Sequence, residues 1–130
     1  MDEIKINFLH ICEYAFFSED KKVNVLGVFD GMTAESFPII HPRFSIVIGV
    51  NGTIFNKRKE IEILSPSGEP VISTQINVNL ENKPKANLII NLIGVPFQVA
   101  GTYKIVFKID DKIISPERQD VITINSNEQR

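Results

Sequence analysis

Phe44-Ser45-Ile46-Val47-Ile48-Gly49-Val50-Asn51 is the stretch that decides the fold class. Its even positions, Phe44, Ile46, Ile48 and Val50, are all apolar. Its odd positions, Val47 apart, are small or polar. Successive side chains of a strand point to opposite faces, so a run of this period lays one face on a core and leaves the other wetter. The same period recurs downstream. Ile72, Thr74, Ile76, Val78 and Leu80 form one such face, Ala86, Leu88, Ile90 and Leu92 another, and Tyr103, Ile105, Phe107 and Ile109 a third.

Turn residues separate these runs. Ser65-Pro66-Ser67-Gly68 has Pro at the second and Gly at the fourth position of a type I turn, and predicts a hairpin between Lys59–Leu64 and Val71–Leu80. Asp110-Asp111 predicts a two-residue hairpin turn after Tyr103–Ile109. Asn51-Gly52 and Pro84 end their runs, and Gly94, Pro96 and Gly101 bracket a loop before Tyr103. Ile4 to Phe17 fits two periods. Its even positions Ile4, Ile6, Phe8, His10, Cys12, Tyr14 and Phe16 read as a strand face, whereas Ile4, Phe8, Ile11 and Ala15 fit a helix. The β-branched and aromatic content favours the strand. Met32–Pro42, with Pro38 and Pro42, reads as an irregular connection with room for one helical turn.

About eight strands result, near 5–12, 22–29, 44–51, 58–64, 71–80, 86–93, 102–109 and 112–124, the last broken at Pro116. Many short strands between turns predict an all-β fold, an antiparallel β-sandwich of immunoglobulin-like or related topology, with residues 1–130 as a single domain.

With 14 basic and 16 acidic residues, the chain lacks the basic excess of a nucleic-acid binder. The one basic triplet, Lys57-Arg58-Lys59, reads as a solvated edge strand guarded against sheet pairing. A single cysteine allows no intrachain disulfide and fits a reducing compartment. The acidic start Met1-Asp2-Glu3 lacks the basic region of a signal peptide, and no apolar run is long enough to span a membrane. These features predict a cytoplasmic protein that binds neither nucleic acid nor membrane.

Candidate sites are few. Cys12 and His10 stand two apart on the first strand, starting nearly 7 Å from each other. That spacing suits a buried thiol beside a core histidine better than a nucleophile with its base. A zinc site would need more ligands than two histidines and one cysteine provide. In Phe37-Pro38-Ile39-Ile40-His41-Pro42-Arg43 two prolines stiffen what reads as a loop, and His41 and Arg43 could grip an anionic or carbonyl group there. Asp30, Asp110 and Asp111 lack calcium-hand spacing and read as turn residues. Glu60 and Glu62 share a strand face beside basic residues and read as solvated. Phe55 and Phe97 sit outside the apolar faces, in loops or turns. No phosphate-binding glycine loop or nucleophile elbow is present.

Several short patterns carry a resemblance over nearly the whole chain. They are Cys12-Glu13-Tyr14-Ala15, Leu26-Gly27-Val28-Phe29-Asp30, Phe37-Pro38 with His41-Pro42, and Gly101-Thr102-Tyr103 ahead of Asp110-Asp111. The chain resembles a family of small bacterial proteins known as a domain of unknown function. Members commonly have Asp where this chain has Glu13, and Asp-Gly where it has Asp110-Asp111. The resemblance implies a compact β domain and brings no activity.

The reading is therefore a non-enzymatic binding or assembly module without cofactor or metal. It would act on a protein partner, with a homo-oligomer as a variant, through loop residues Asp30, Phe37, His41 and Arg43 or through an exposed sheet edge. Two alternatives stand beside it. One is a small hydrolase or metal-dependent enzyme built on Cys12, His10 and His41. The other is a ligand carrier, which would need an open barrel.

Overall fold

A computed structural model describes residues 4–52, 57–76, 85–114 and 121–126, with backbone alone at 41, 42, 121 and 126. Within them are ten strands and no helix. In chain order these are β1 (Lys5–Phe17), β2 (Val23–Val28), β3 (Gly31–Ala34), β4 (Ile39–Asn51), β5 (Lys59–Leu64), β6 (Pro70–Gln75), β7 (Lys85–Phe97), β8 (Gly101–Ile109), β9 (Lys112–Ile114) and β10 (Val121–Ser126). One sheet has the order β2-β1-β4-β7 and is antiparallel throughout. The other has the order β3-β10-β8-β5-β6. There β3 and β10 run parallel, and β9 pairs with the half of β8 that β10 leaves free. No helix of the described residues is long and apolar enough to cross a membrane.

The alternation seen in the sequence builds the core between the sheets. Phe44, Ile46, Ile48 and Val50 of β4 meet Leu88, Ile90 and Leu92 of β7, and across the gap stand Ile61, Ile63, Tyr103, Ile105 and Phe107. A chain of rings crosses this interior. Phe29 meets Phe44 edge-on at 6.2 Å, Phe44 lies 6.4 Å from Phe97, and Phe97 meets Tyr103 edge-on at 4.9 Å. Two sheets with free edges do not close into a barrel, so the open interior required by the ligand-carrier reading is not formed.

Several elements differ from expectation, each for a local reason. β1 is a strand, as its composition indicates, but its even positions do not share one face. The register shifts between Ile6 and Phe8, after which Leu9 and Ile11 join the main core while Phe8 and Cys12 fall on the other side. β4 begins at Ile39, so His41-Pro42-Arg43 is strand and not loop; the segment before it holds β3 and bends, without a helical turn. β7 runs on to Phe97, through Gly94 and Pro96, and the loop is confined to residues 98–100. Phe97 is therefore fully buried in the core instead of exposed in a turn. β5 lies between β8 and β6, so Lys57-Arg58-Lys59 leads into an interior strand and guards no edge. Alternation specifies which face a residue takes but not which strand lies next to it.

Gly94 shows how a long strand can serve two ends of a core. Leu88, Ile90 and Leu92 point inward at even positions, yet Val95 and Phe97 point inward at odd ones. The paired strand changes phase at the same level, with Phe44 and then Ile39 packed on the core. Gly94 has φ +68 there, a conformation that side-chain-bearing residues rarely adopt. Gly27, at φ +69, occupies the corresponding place in the β1–β2 ribbon.

The two turns are as the sequence predicts. Gly68 N–H donates to the Ser65 carbonyl at 2.8 Å, closing the β5–β6 hairpin. Asp110 and Asp111 both have positive φ, 49° and 68°, the signature of a type I′ turn between β8 and β9. Arg58 holds that turn in place: its backbone N–H donates to Asp110 Oδ1 at 2.9 Å, and its guanidinium pairs with Asp111. Pro84, Phe55 and Pro116 lie outside the described residues.

Candidate functional site

The four residues singled out from the sequence have separate roles. Asp30 is exposed, and its backbone carbonyl accepts a hydrogen bond from Thr123 N–H at 3.0 Å, joining the end of β2 to β10. Phe37 is half-buried and packs on the main core. Arg43 is exposed on β4, with its guanidinium carbon 4.8 Å from the centre of the Tyr14 ring. Stacking of this kind holds a guanidinium over an aromatic face by about 0.5–1 kcal/mol at an exposed site. The backbone of His41 pairs with Val95, and its side chain lies outside the described residues.

The thiol and its neighbouring imidazole do not form a reactive pair. Val47 lies between the core residues Ile46 and Ile48, so it faces away from the sandwich interior. Cys12, fully buried, joins Val47 and Ala15 in a second, smaller cluster, with Phe8, Val23, Val25 and Ile89 packed around it. Cys12 Sγ donates weakly to the Ser45 carbonyl at 3.7 Å, and burial pushes the thiol above its ordinary range. His10 is exposed, not a core histidine, and its ring stacks on Phe8 at 5.4 Å. Among the described residues, no three His, Cys, Asp or Glu side chains are placed to hold a metal ion.

The charged side chains around β5 form an ion-pair network, not a catalytic pair. Glu60 accepts from Arg58 Nε at 2.9 Å, and Glu62 pairs with Lys108 Nζ at 2.5 Å. Arg58 holds the Asp111 carboxyl below the usual carboxylate range, and Glu62 raises Lys108 above the usual lysine range. These glutamates are half-buried rather than solvated. Lys59 is buried, with Nζ donating to the Lys57 carbonyl at 2.5 Å.

The feature that sequence reading did not locate is the free edge of β7. This strand closes one side of the first sheet, and among the described residues its only strand partner is β4. It runs for 13 residues, and after Lys85 none of them is charged. Exposed edges are ordinarily guarded by charges, prolines or bulges, because a row of unpaired N–H and C=O groups invites another strand. β7 carries such devices only at its ends, Lys85 at one and Gly94 and Pro96 at the other, and among the described residues nothing guards Ala86–Ile93. The neighbouring edge of the second sheet is β6, also without a charged residue. Between the two edges lies a groove of about 330 Å³ whose lining mixes Ile72, Ile76, Ile90 and Leu92 with the polar Thr74, Gln75 and Asn91. Ile93, 77% exposed, stands at the end of this stretch. The uncharged run was legible in the sequence, but nothing there showed that β7 lies at an edge.

Apolar surface continues from Ile93 across the sheet. Ile93 pairs with Arg43, Arg43 stacks on Tyr14, and Tyr14 pairs with Leu26, itself 56% exposed. Val28 and Ile40 are also exposed, at 60% and 64%. Exposed apolar side chains together with an arginine and a tyrosine are common in protein contact surfaces.

The short sequence patterns prove to be largely structural in this chain. Gly27 changes the phase of β2, Phe29 enters the core, and Phe37 packs on it. Tyr103 is buried, its hydroxyl donating to the Val99 carbonyl at 2.6 Å and accepting from Val99 N–H at 3.2 Å. The model of one family matches residues 7–118; its description reads "Family of unknown function (DUF6941)". No curated protein matches the chain.

Proposed function

Since the chain belongs to this family, whose description carries no activity, we propose from the geometry that it is a non-enzymatic protein-binding module acting by strand addition at β7. The occupant is an extended segment of a protein chain, uncharged over about eight residues and apolar at alternate positions. The observation that carries this reading is the uncharged edge from Ala86 to Ile93, unguarded among the described residues, beside a groove of mixed apolar and polar lining. Backbone N–H and C=O groups along the edge supply hydrogen bonds, each worth a net of about 0.5–1.5 kcal/mol. The groove receives the inward-pointing side chains, which gives specificity to a contact that backbone bonds alone would leave indifferent to sequence. The buried Cys12 thiol and the surface position of His10 weigh against the hydrolase alternative, because a nucleophile needs both access and a nearby base.

The test is binding of a synthetic eight-residue peptide of alternating Val and Thr, flanked by lysines for solubility, measured by fluorescence anisotropy with the peptide in excess. A matched peptide with alternate amides N-methylated cannot pair along one of its edges. Binding by the first peptide, lost on N-methylation of the edge that faces β7, is the expected result. Equal binding by the unmodified peptide and by both N-methylated forms would show a contact made by side chains alone and would sink strand addition.

A further inference from the structure

We infer that the strand added to β7 is the β7 of a second copy of this chain, antiparallel across a twofold axis at Ile90. This rests on the strand-addition reading and names its partner. The site calls for a long strand without charges. β7 itself is such a strand after Lys85. Its apolar face, Leu88, Ile90 and Leu92, is already buried in its own core, so what it offers a second copy is its edge backbone, with the two cores on the same side of the joined sheet. Charge points the same way. Each copy carries a net charge of −2, so two copies repel weakly overall and approach best along a seam without charges. The edge from Ala86 to Phe97 has none, and the ion-pair network of Arg58, Glu60, Glu62, Lys108 and Asp111 lies on strands β5 and β8 and their connections, in the other sheet.

Geometry limits the register. Directly opposed residues of an antiparallel pair share a face, so the inward residues of one copy must meet those of the other. With Ile90 on the axis, Leu88 lies opposite the partner's Leu92, and Asn87 opposite the partner's Ile93. Pairing extends from Asn87 to Ile93, because Gly94 then bends the strand and Pro96 has no N–H to donate. Such an interface is isologous and closes at two copies, joining two four-stranded sheets into one of eight strands and removing both β7 edges.

The experiment is native mass spectrometry of the full chain at about 20 μM, an ordinary concentration for a weak dimer of this type. It uses two charge variants, Asn87→Lys with Ile93→Lys and Asn87→Glu with Ile93→Glu. Both positions are exposed, so each variant keeps its core, which far-UV circular dichroism checks. The expected result is a wild-type dimer, a monomer for each variant alone, and a dimer restored when the two variants are mixed. A monomeric wild type, or a dimer that persists in both variants, overturns the second-copy proposal. The peptide experiment then separates the two readings. Val/Thr peptide binding that the lysine variant loses leaves strand addition standing without self-pairing, and absence of peptide binding to a monomeric wild type removes both.

Discussion

Gly49→Ala in β4 changes the sign of its effect according to what stands at residue 8. A β-carbon at Gly49 would lie 2.1 Å from Cε2 of Phe8, against a normal carbon–carbon contact of about 3.5–4.0 Å. The ring would have to move by about 1.5 Å, away from its stack on His10. The backbone cannot yield instead, because Gly49 is paired with Phe8 on one side and Asn87 on the other. Overpacking of this kind costs about 1–3 kcal/mol. Replacing glycine by alanine within an ordinary strand recovers about 0.5–1 kcal/mol of backbone entropy. Taking the middle of both ranges, the net effect is a loss of about 1 kcal/mol, or a Tm lower by roughly 3–5 °C for a chain of this length. With Phe8→Ala the obstruction is gone, and the same Gly49→Ala change becomes stabilising by about 0.5–1 kcal/mol. Urea denaturation of the wild type, both single variants and the double variant measures the coupling. If Gly49→Ala has the same effect in both backgrounds to within about 0.5 kcal/mol, the ring does not occupy the space over Gly49 and the reasoning fails.

Three further outcomes follow from the same structure. Tyr103→Phe keeps the ring in the core but leaves the Val99 N–H and C=O without the hydroxyl that serves both, so stability measured in urea should fall by about 1–3 kcal/mol; a loss below about 0.5 kcal/mol would deny the hydroxyl its structural role. Asp111→Gly relieves a positive φ at a side-chain-bearing residue but removes the pair with Arg58. Because Arg58 lowers the Asp111 pKa, that pair contributes above the ordinary carboxylate value of about 3.9 and is lost as pH falls through the depressed one, so the substitution should raise Tm more at acid pH than at pH 7; an equal rise at both would contradict the pairing. Cys12, fully buried and with its thiol pushed up, should react with a thiol reagent at pH 8 roughly 100-fold more slowly than a free cysteine until denaturant opens the fold; rapid labelling of the native protein would contradict its burial.

Much of the architecture was legible before any coordinates. Phe44–Asn51 and Tyr103–Ile109 announce strands because a period of two is hard to satisfy otherwise, and Ser65–Gly68 and Asp110-Asp111 mark turns through their backbone preferences. The strand ends that differ from expectation share one cause. Proline and glycine ordinarily interrupt a ladder, so Pro42, Gly94 and Pro96 read as strand ends. Here Pro96 lies on an edge strand, where a missing N–H costs little, and Gly94 opposite Pro42 lets both strands change phase without breaking register. The Arg43–Tyr14 contact was equally out of reach, since the two residues belong to strands that are distant in the chain.

The sequence alone determined the class of the fold, the inward faces of the main strands and the two hairpin turns, because these follow from interactions among residues within a few positions of each other. Only the tertiary structure decided that β5 is interior, that Cys12 lies behind the sheet and that β7 ends it. The physical reason is that side-chain alternation sets the face of a strand, whereas its neighbours are set by how the whole set of faces can be buried at once. An edge is a property of that arrangement, and the uncharged run Ala86–Ile93 becomes a candidate site only through the place the arrangement gives it.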